Sequence, residues 1–225
     1  MHSVEIRREI VERVVARRGK LHLFDSLDPK KTALLVIDMQ NAFVAPGAPV
    51  EVPAAREIVP AINRLAAGLR KRGVPVIWVL HENRPGGSDW EGFFGAFVSD
   101  RPKAAAALTA GNELQKLWPK LETAPQDLRV AKNRYSAFIK NDFEGKLKER
   151  GIDTLLIAGT KTNVCCECTA RDAMMLDYKV VMLSDCTAAL SDEEHLATLE
   201  NMIQQFGDVM TADEAVSLFN ARRQR

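Results

Sequence analysis

From Thr32 onward the sequence alternates between two kinds of segment, and that alternation leaves few folds open. Short apolar, β-branched runs occupy residues 33–37 (ALLVI), 75–80 (PVIWVL), 128–131 (LRVA), 154–158 (TLLIA) and 180–183 (VVML), with a weak last one at 209–210. They are continuous rather than alternating, as expected of strands buried on both faces. Longer amphipathic segments separate them. Residues 54–72 carry Ile58, Ile62, Leu65 and Leu69 on one stripe and stop at Gly73; residues 142–150 stop at Gly151. Further helices are expected over 165–176, over 192–206 behind a Ser191/Glu194 capping box, and over 213–222. Strand and helix in this rhythm predict an α/β fold: a doubly wound, mainly parallel six-stranded sheet with helices on both faces.

Composition narrows the function classes. With 46% hydrophobic residues among 225 the chain carries enough apolar surface for a core, and its length suits one large domain. Thirty-one basic against thirty acidic residues give a net charge of +1, no electrostatic footprint for nucleic acid or an anionic membrane. No apolar run approaches the ~20 residues of a membrane helix. The four cysteines, at 165, 166, 168 and 186, crowd into the last third and have no matching His pair for zinc, so reduced thiols and a cytoplasmic location are expected, with no metal and no cofactor. Residues 3–18 place Ile6, Ile10, Val11, Val14 and Val15 at helical spacing; Glu5, Glu9 and Glu12 argue against a transit peptide. This segment, within an N-terminal helical arm over 1–30, is expected to pack on the domain or on a second subunit. Residues 81–127, with Gly86, Gly87, Gly92, Gly95 and an aromatic cluster, break the rhythm as a lid or binding loop does.

In an open α/β sheet ligands bind beyond the carboxyl ends of the strands. The residues found there are Asp38, His81, Lys132, the run GTKTNVCCEC and Asp185. A carboxylate, an amine and a thiol from strand ends that would be neighbours make a nucleophilic site. Asp38 is placed to take the thiol proton, while Lys132 and a helix start lower a thiol pKa that is ordinarily about 8.5. No G-x-G-x-x-G follows the first strand, which disfavours a dinucleotide-dependent oxidoreductase.

TALLVIDMQNAF, KNRYSAF and GTKTNVCCECTARDA together resemble the signature blocks of the isochorismatase-like cysteine hydrolases, and the resemblance runs from about Thr32 to about Phe219. It implies a hydrolase domain over 31–225 whose catalytic triad is Asp38, Lys132 and Cys165. Adjacent helical residues diverge, so only one of Cys165 and Cys166 can face the site. The resemblance also implies a cis peptide at Thr160–Lys161, with the Lys161 and Cys165 backbone N–H groups forming an oxyanion hole.

The implied reaction is hydrolysis of a small carboxamide or carbamoyl (ureido) substrate through a thioester. KNRYSAF and TNVC are most similar to the ureidoacrylate and carbamoyl amidohydrolase branch. Alternatives are an isochorismatase-type vinyl ether hydrolase, a nicotinamidase-like amidase, for which His81, Glu82 and Asp89 make a poor metal site, and a catalytically inactive binding homologue. Asn41 is a candidate for hydrogen bonding the carbamoyl group. Phe43, Trp90, Phe93 and Phe94 are candidate walls, Tyr135 a further substrate-binding candidate, and Arg84 or Arg134 candidate carboxylate ligands. A homodimer or homotetramer is the assembly the family implies.

Overall fold

The computed structural model describes residues 2, 5–83 and 106–219. Six parallel strands, β1 (Thr32–Ile37), β2 (Val76–His81), β3 (Leu128–Lys132), β4 (Thr154–Thr160), β5 (Lys179–Ala188) and β6 (Asp208–Met210), form one sheet in the order β3-β2-β1-β4-β5-β6. The described helices are α1 (Arg8–Arg18), α2 (Asn41–Val44), α3 (Ala55–Arg70), α4 (Phe143–Glu149), α5 (Glu167–Met175), α6 (Asp192–Asn201) and α7 (Ala212–Ser217). Among the described residues, none is long and apolar enough to cross a membrane. The strand order reverses between β1 and β4, so a crevice opens beyond their carboxyl ends.

Alternate side chains of β1 supply both halves of the core. Leu34 and Val36 meet the α3 stripe of Ile58, Ile62, Leu65 and Leu69. Ala33, Leu35 and Ile37 face Phe143 and Leu147 of α4, Ala170 and Ala173 of α5, and Leu199 of α6. Each fully buried aliphatic side chain here contributes about 1.5–3 kcal/mol. The expectation of strands buried on both faces holds for β1, β2 and β4 and fails for β3. There Val130 and Lys132 are buried while Arg129 and Ala131 are exposed, so one face of this edge strand is open to solvent.

Two expected helices are divided. The segment after β4 begins as a π-helical turn, Thr162–Cys166, before α5; the segment after α6 ends in a second, Met202–Phe206. At the amino end Ile10 and Val14 of α1 are buried against the same core half as Leu199, Met202 and Ile203, so the arm packs on its own domain. All four cysteines are unbridged. Arg84, Asp89, Trp90, Phe93 and Phe94 lie outside the described residues.

Candidate active site

The backbone beneath the site is tightly set. Asp38, directly after β1, takes a left-handed φ of 52°, a conformation that Asp tolerates better than most residues. Its N–H donates to the Val79 carbonyl at 2.8 Å. Gly159 pairs with Ile37 across β4 and β1, and a Cβ there would lie 2.0 Å from the Ile37 carbonyl oxygen. Only glycine lets β4, which leads into the Cys165 turn, come this close to the end of β1. Gln40 ties the ends of β1 and β2: its Oε1 accepts from His81 N–H at 2.8 Å, and its Nε2 donates to the His81 carbonyl at 2.9 Å and the Gln115 carbonyl at 2.7 Å.

Lys132 Nζ donates to Asp38 Oδ2 at 2.7 Å and to the Arg134 carbonyl at 3.2 Å. Both side chains of the ion pair are fully buried. Asp38 Oδ1 has no hydrogen-bond partner among the described residues. The three strand ends are not immediate neighbours, as the sequence reading had them. β2 lies between β1 and β3, and the long stem of Lys132 spans the end of β2, where His81 is its register partner.

Cys165 sits in the π-helical turn, where Cys166 N–H donates to the Lys161 carbonyl at 3.1 Å in the i to i−5 pattern. The two adjacent thiols part company. Cys165 interacts with Asp38 and Lys132. Cys166 turns back to the sheet, its sulfur 3.9 Å from the Ala158 carbonyl. The peptide Thr160–Lys161 is cis, at the expected place.

Burial governs the electrostatics. It raises the Asp38 pKa above the carboxylate value, although Lys132 and Cys165 pull the other way. Burial lowers that of Lys132, but the charges of Asp38 and Cys165 more than offset it, so the ammonium is retained. Cys165 is held strongly upward by burial and then by Asp38, against Lys132. At the sulfur the cation is outweighed by burial and the neighbouring carboxylate, the reverse of the lowering expected from the sequence. His81 is brought down to about 3 by burial and by Lys132, leaving a neutral imidazole.

The remaining candidates divide. Tyr135 stands near Cys165: burial and the charges of Cys165 and Cys168 raise its pKa. Arg134 stands close enough to His81 to depress its pKa. Asn41 donates to the Glu113 carbonyl at 2.8 Å, while its buried Oδ1 has no partner among the described residues. Phe43 is 8% exposed and belongs to the core cluster with Val52 and Ile58. Asp185 accepts from Ala212 N–H at 2.8 Å and caps α7 instead of joining the site. A cavity of about 650 Å³, lined by Leu80, Glu82, Gln115, Trp118, Arg129 and others, opens beside the edge strand, and none of its lining residues is Asp38, Lys132 or Cys165. Sequence reasoning passed over Thr162 and His195, which meet at the head of the π-helical turn that carries Cys165.

The isochorismatase domain model matches residues 32–214, which include every one of these groups. The chain belongs to the isochorismatase family. Ureidoacrylate amidohydrolase RutB of Pseudomonas savastanoi pv. phaseolicola is 33% identical over 210 residues, covering 86% of this chain and 86% of that protein. A probable inactive nicotinamidase of Arabidopsis thaliana is 37% identical over 175 residues, covering 77% of this chain and 88% of that one. A solved cysteine hydrolase of Pseudomonas syringae pv. phaseolicola superposes with a TM-score of 0.81 at 30% identity, covering 87% of this chain and 95% of that one. These likenesses make the six-stranded architecture that of an isochorismatase-like hydrolase.

Proposed function

We propose that the protein is a cysteine-dependent amidohydrolase that cleaves a small carboxamide or ureido substrate, with Asp38, Lys132 and Cys165 as its catalytic residues. The observation that carries the reading is the unshared oxygen of Asp38. In a fully buried carboxylate already holding Lys132 by Oδ2, a second oxygen without a partner is costly unless it has a use. Beside a protonated thiol its use is to accept a proton.

Attack of the Cys165 sulfur on the carboxamide or carbamoyl carbon transfers the thiol proton to Asp38. The upward-held thiol favours proton transfer to Asp38 in the same step as attack. The raised pKa of Asp38 narrows the gap between base and thiol. The negative charge that develops on the substrate oxygen is taken by the backbone N–H groups of Lys161 and Cys165, the second of which lies in a first helical turn where N–H groups lack intrahelical acceptors. The C–N bond then breaks, and Asp38 returns the proton to the departing ammonia or amine. A water loses its proton to Asp38, attacks the thioester, and the sulfur leaves and is reprotonated by Asp38. Lys132 stays charged and steadies the carboxylate and the sulfur throughout.

Similarity to RutB supports a ureido acid as substrate, with Arg134 as the carboxylate ligand, Asn41 Oδ1 as an acceptor for a carbamoyl N–H, and Tyr135 as a wall. The nucleophilic Cys disfavours vinyl ether cleavage. The Arabidopsis thaliana relative makes a binding-only homologue the competing reading. Screening carboxamides and ureido acids for released ammonia or amine decides between them. Turnover by the wild type and none by Cys165→Ala is expected; turnover retained in Cys165→Ala overturns the assignment, and no turnover of any amide favours the binding protein.

A further inference from the structure

The hydroxyl of Thr162 is not used by the chemistry above, yet it is buried at the head of the nucleophile turn, 2.9 Å from Nδ1 of His195 in α6. Nε2 of that ring is 3.1 Å from the carbonyl of Ser184 in β5. A carbonyl only accepts, so Nε2 carries the hydrogen, Nδ1 accepts, and the Thr162 hydroxyl donates.

The neighbours reinforce this tautomer. The ring of His2 stacks on that of His195, centroids 4.4 Å apart at 18°. Ala189 N–H donates to His2 Nε2 at 3.0 Å, which leaves His2 Nδ1–H to donate to Asp192 at 2.6 Å. The pattern is complete with both rings neutral. Burial, then His2, brings the pKa of His195 down to about 4, against the Ser184 carbonyl and Asp192. On the other side of Lys161, Thr160 Oγ1 donates to the Ala188 carbonyl at 3.2 Å. Both residues flanking Lys161 thus hang their hydroxyls on acceptors outside the turn.

We propose that His195 is a positioning residue: by accepting the Thr162 hydroxyl hydrogen bond it fixes the Lys161–Cys165 turn, and with it the oxyanion donors and the attacking sulfur. This rests on the amide-hydrolase reading of Cys165. It is distinct from that reading, because His195 is one residue removed from every reacting atom.

The test uses the full chain and an amide found in the screen, with Thr162→Val, Thr162→Ser, His195→Leu, His195→Asn, the Thr162→Val/His195→Leu double variant and Cys165→Ala measured side by side. Thr162→Val keeps the side-chain shape and removes the donor. It should lower kcat about tenfold to a hundredfold with KM nearly unchanged, as a small misplacement of reacting groups does. Thr162→Ser should restore most of kcat. His195→Asn, which keeps an acceptor near the Nδ1 position, should exceed His195→Leu. The double variant should be no worse than the poorer single one, because both remove the same bond.

A role in stability alone lowers the melting temperature and leaves the kcat of folded protein untouched. Thr162→Val at wild-type kcat, or a double variant that loses the product of the two single effects, overturns the proposal. If His195→Leu fails to fold, the two Thr162 variants decide. Turnover by Cys165→Ala sinks the underlying reading; an inactive Cys165→Ala beside an unaffected Thr162→Val sinks only the positioning role.

Discussion

Two buried carboxylates, Asp38 and Asp127, are built to opposite ends. Asp127 is saturated: Oδ1 accepts from Arg70 Nε at 2.9 Å, and Oδ2 accepts from Arg70 at 2.6 Å, Trp78 Nε1 at 2.8 Å and Ala124 N–H at 2.8 Å. Burial raises its pKa, but the guanidinium, the indole and the amide more than offset this and hold it below the ordinary value. Asp38 receives the Lys132 ammonium on Oδ2, feels only weaker support from the Cys165 thiol and the His81 backbone, and has no partner within hydrogen-bond distance of Oδ1 among the described residues; burial holds it above the ordinary value. The saturated carboxylate fastens the loop before β3 to α3 and β2. The under-satisfied one has basicity left to spend on a proton. Counting donors on a buried acid thus separates architecture from chemistry in this molecule.

Removing the cation from each acid breaks the comparison in different ways. Lys132→Met strips Asp38 of its donor, and kcat should fall about a hundredfold to a thousandfold as the electrostatic support is lost. Stability at neutral pH should fall by about 3–5 kcal/mol, the cost of a buried charge left alone. The sign follows from the raised pKa: the unfolded carboxylate ionises first, so this loss should shrink as pH falls towards the ordinary carboxylate range and grow as pH rises. Urea melts across pH check it, and a loss independent of pH would refute the account of Asp38.

Asp127→Asn should cost about 1–3 kcal/mol and leave kcat unchanged. Here the linkage runs the other way. The depressed pKa gives wild-type protein a contribution that is present above the unfolded value and lost as pH falls through the folded one, and the variant should lack that acid-side loss. Arg70→Lys, which replaces two donors on Asp127 with one, should have the smallest effect, about 1 kcal/mol with kcat intact. A drop in kcat in either variant would mean that the fastening of this loop reaches the site.

Much of this was legible in the sequence, and the illegible parts have physical reasons. Continuous apolar runs and glycine helix stops yielded the sheet and helices because burial and left-handed backbone are local demands. The resemblance placed Asp38, Lys132 and Cys165, which the fold does bring together. It was silent about Lys132 reaching past β2, because strand order is a tertiary property. It was silent, too, about β3 being an edge, since LRVA is too short to show which face is wet. The π-helical turn that separates Cys165 from Cys166 left no periodic signature in five residues. Thr162 and His195 lie 33 residues apart and meet only when α6 packs on the π-helical turn and on β5; the sole hint was a histidine behind the Ser191 capping box. Phe43, an aromatic just past β1, packs in the core, which its place in the sequence did not reveal.

The claim that a protonated Cys165 passes its proton to Asp38 and becomes acylated is tested most directly by acid-quenching the enzyme during turnover of an amide or ureido acid and locating the adduct by peptide mass spectrometry. The account predicts one acyl or carbamoyl group on Cys165, accumulating in the wild type and absent from Cys165→Ala. Turnover without any adduct on Cys165, or an adduct on Cys166, Cys168 or Cys186 in its place, would contradict it.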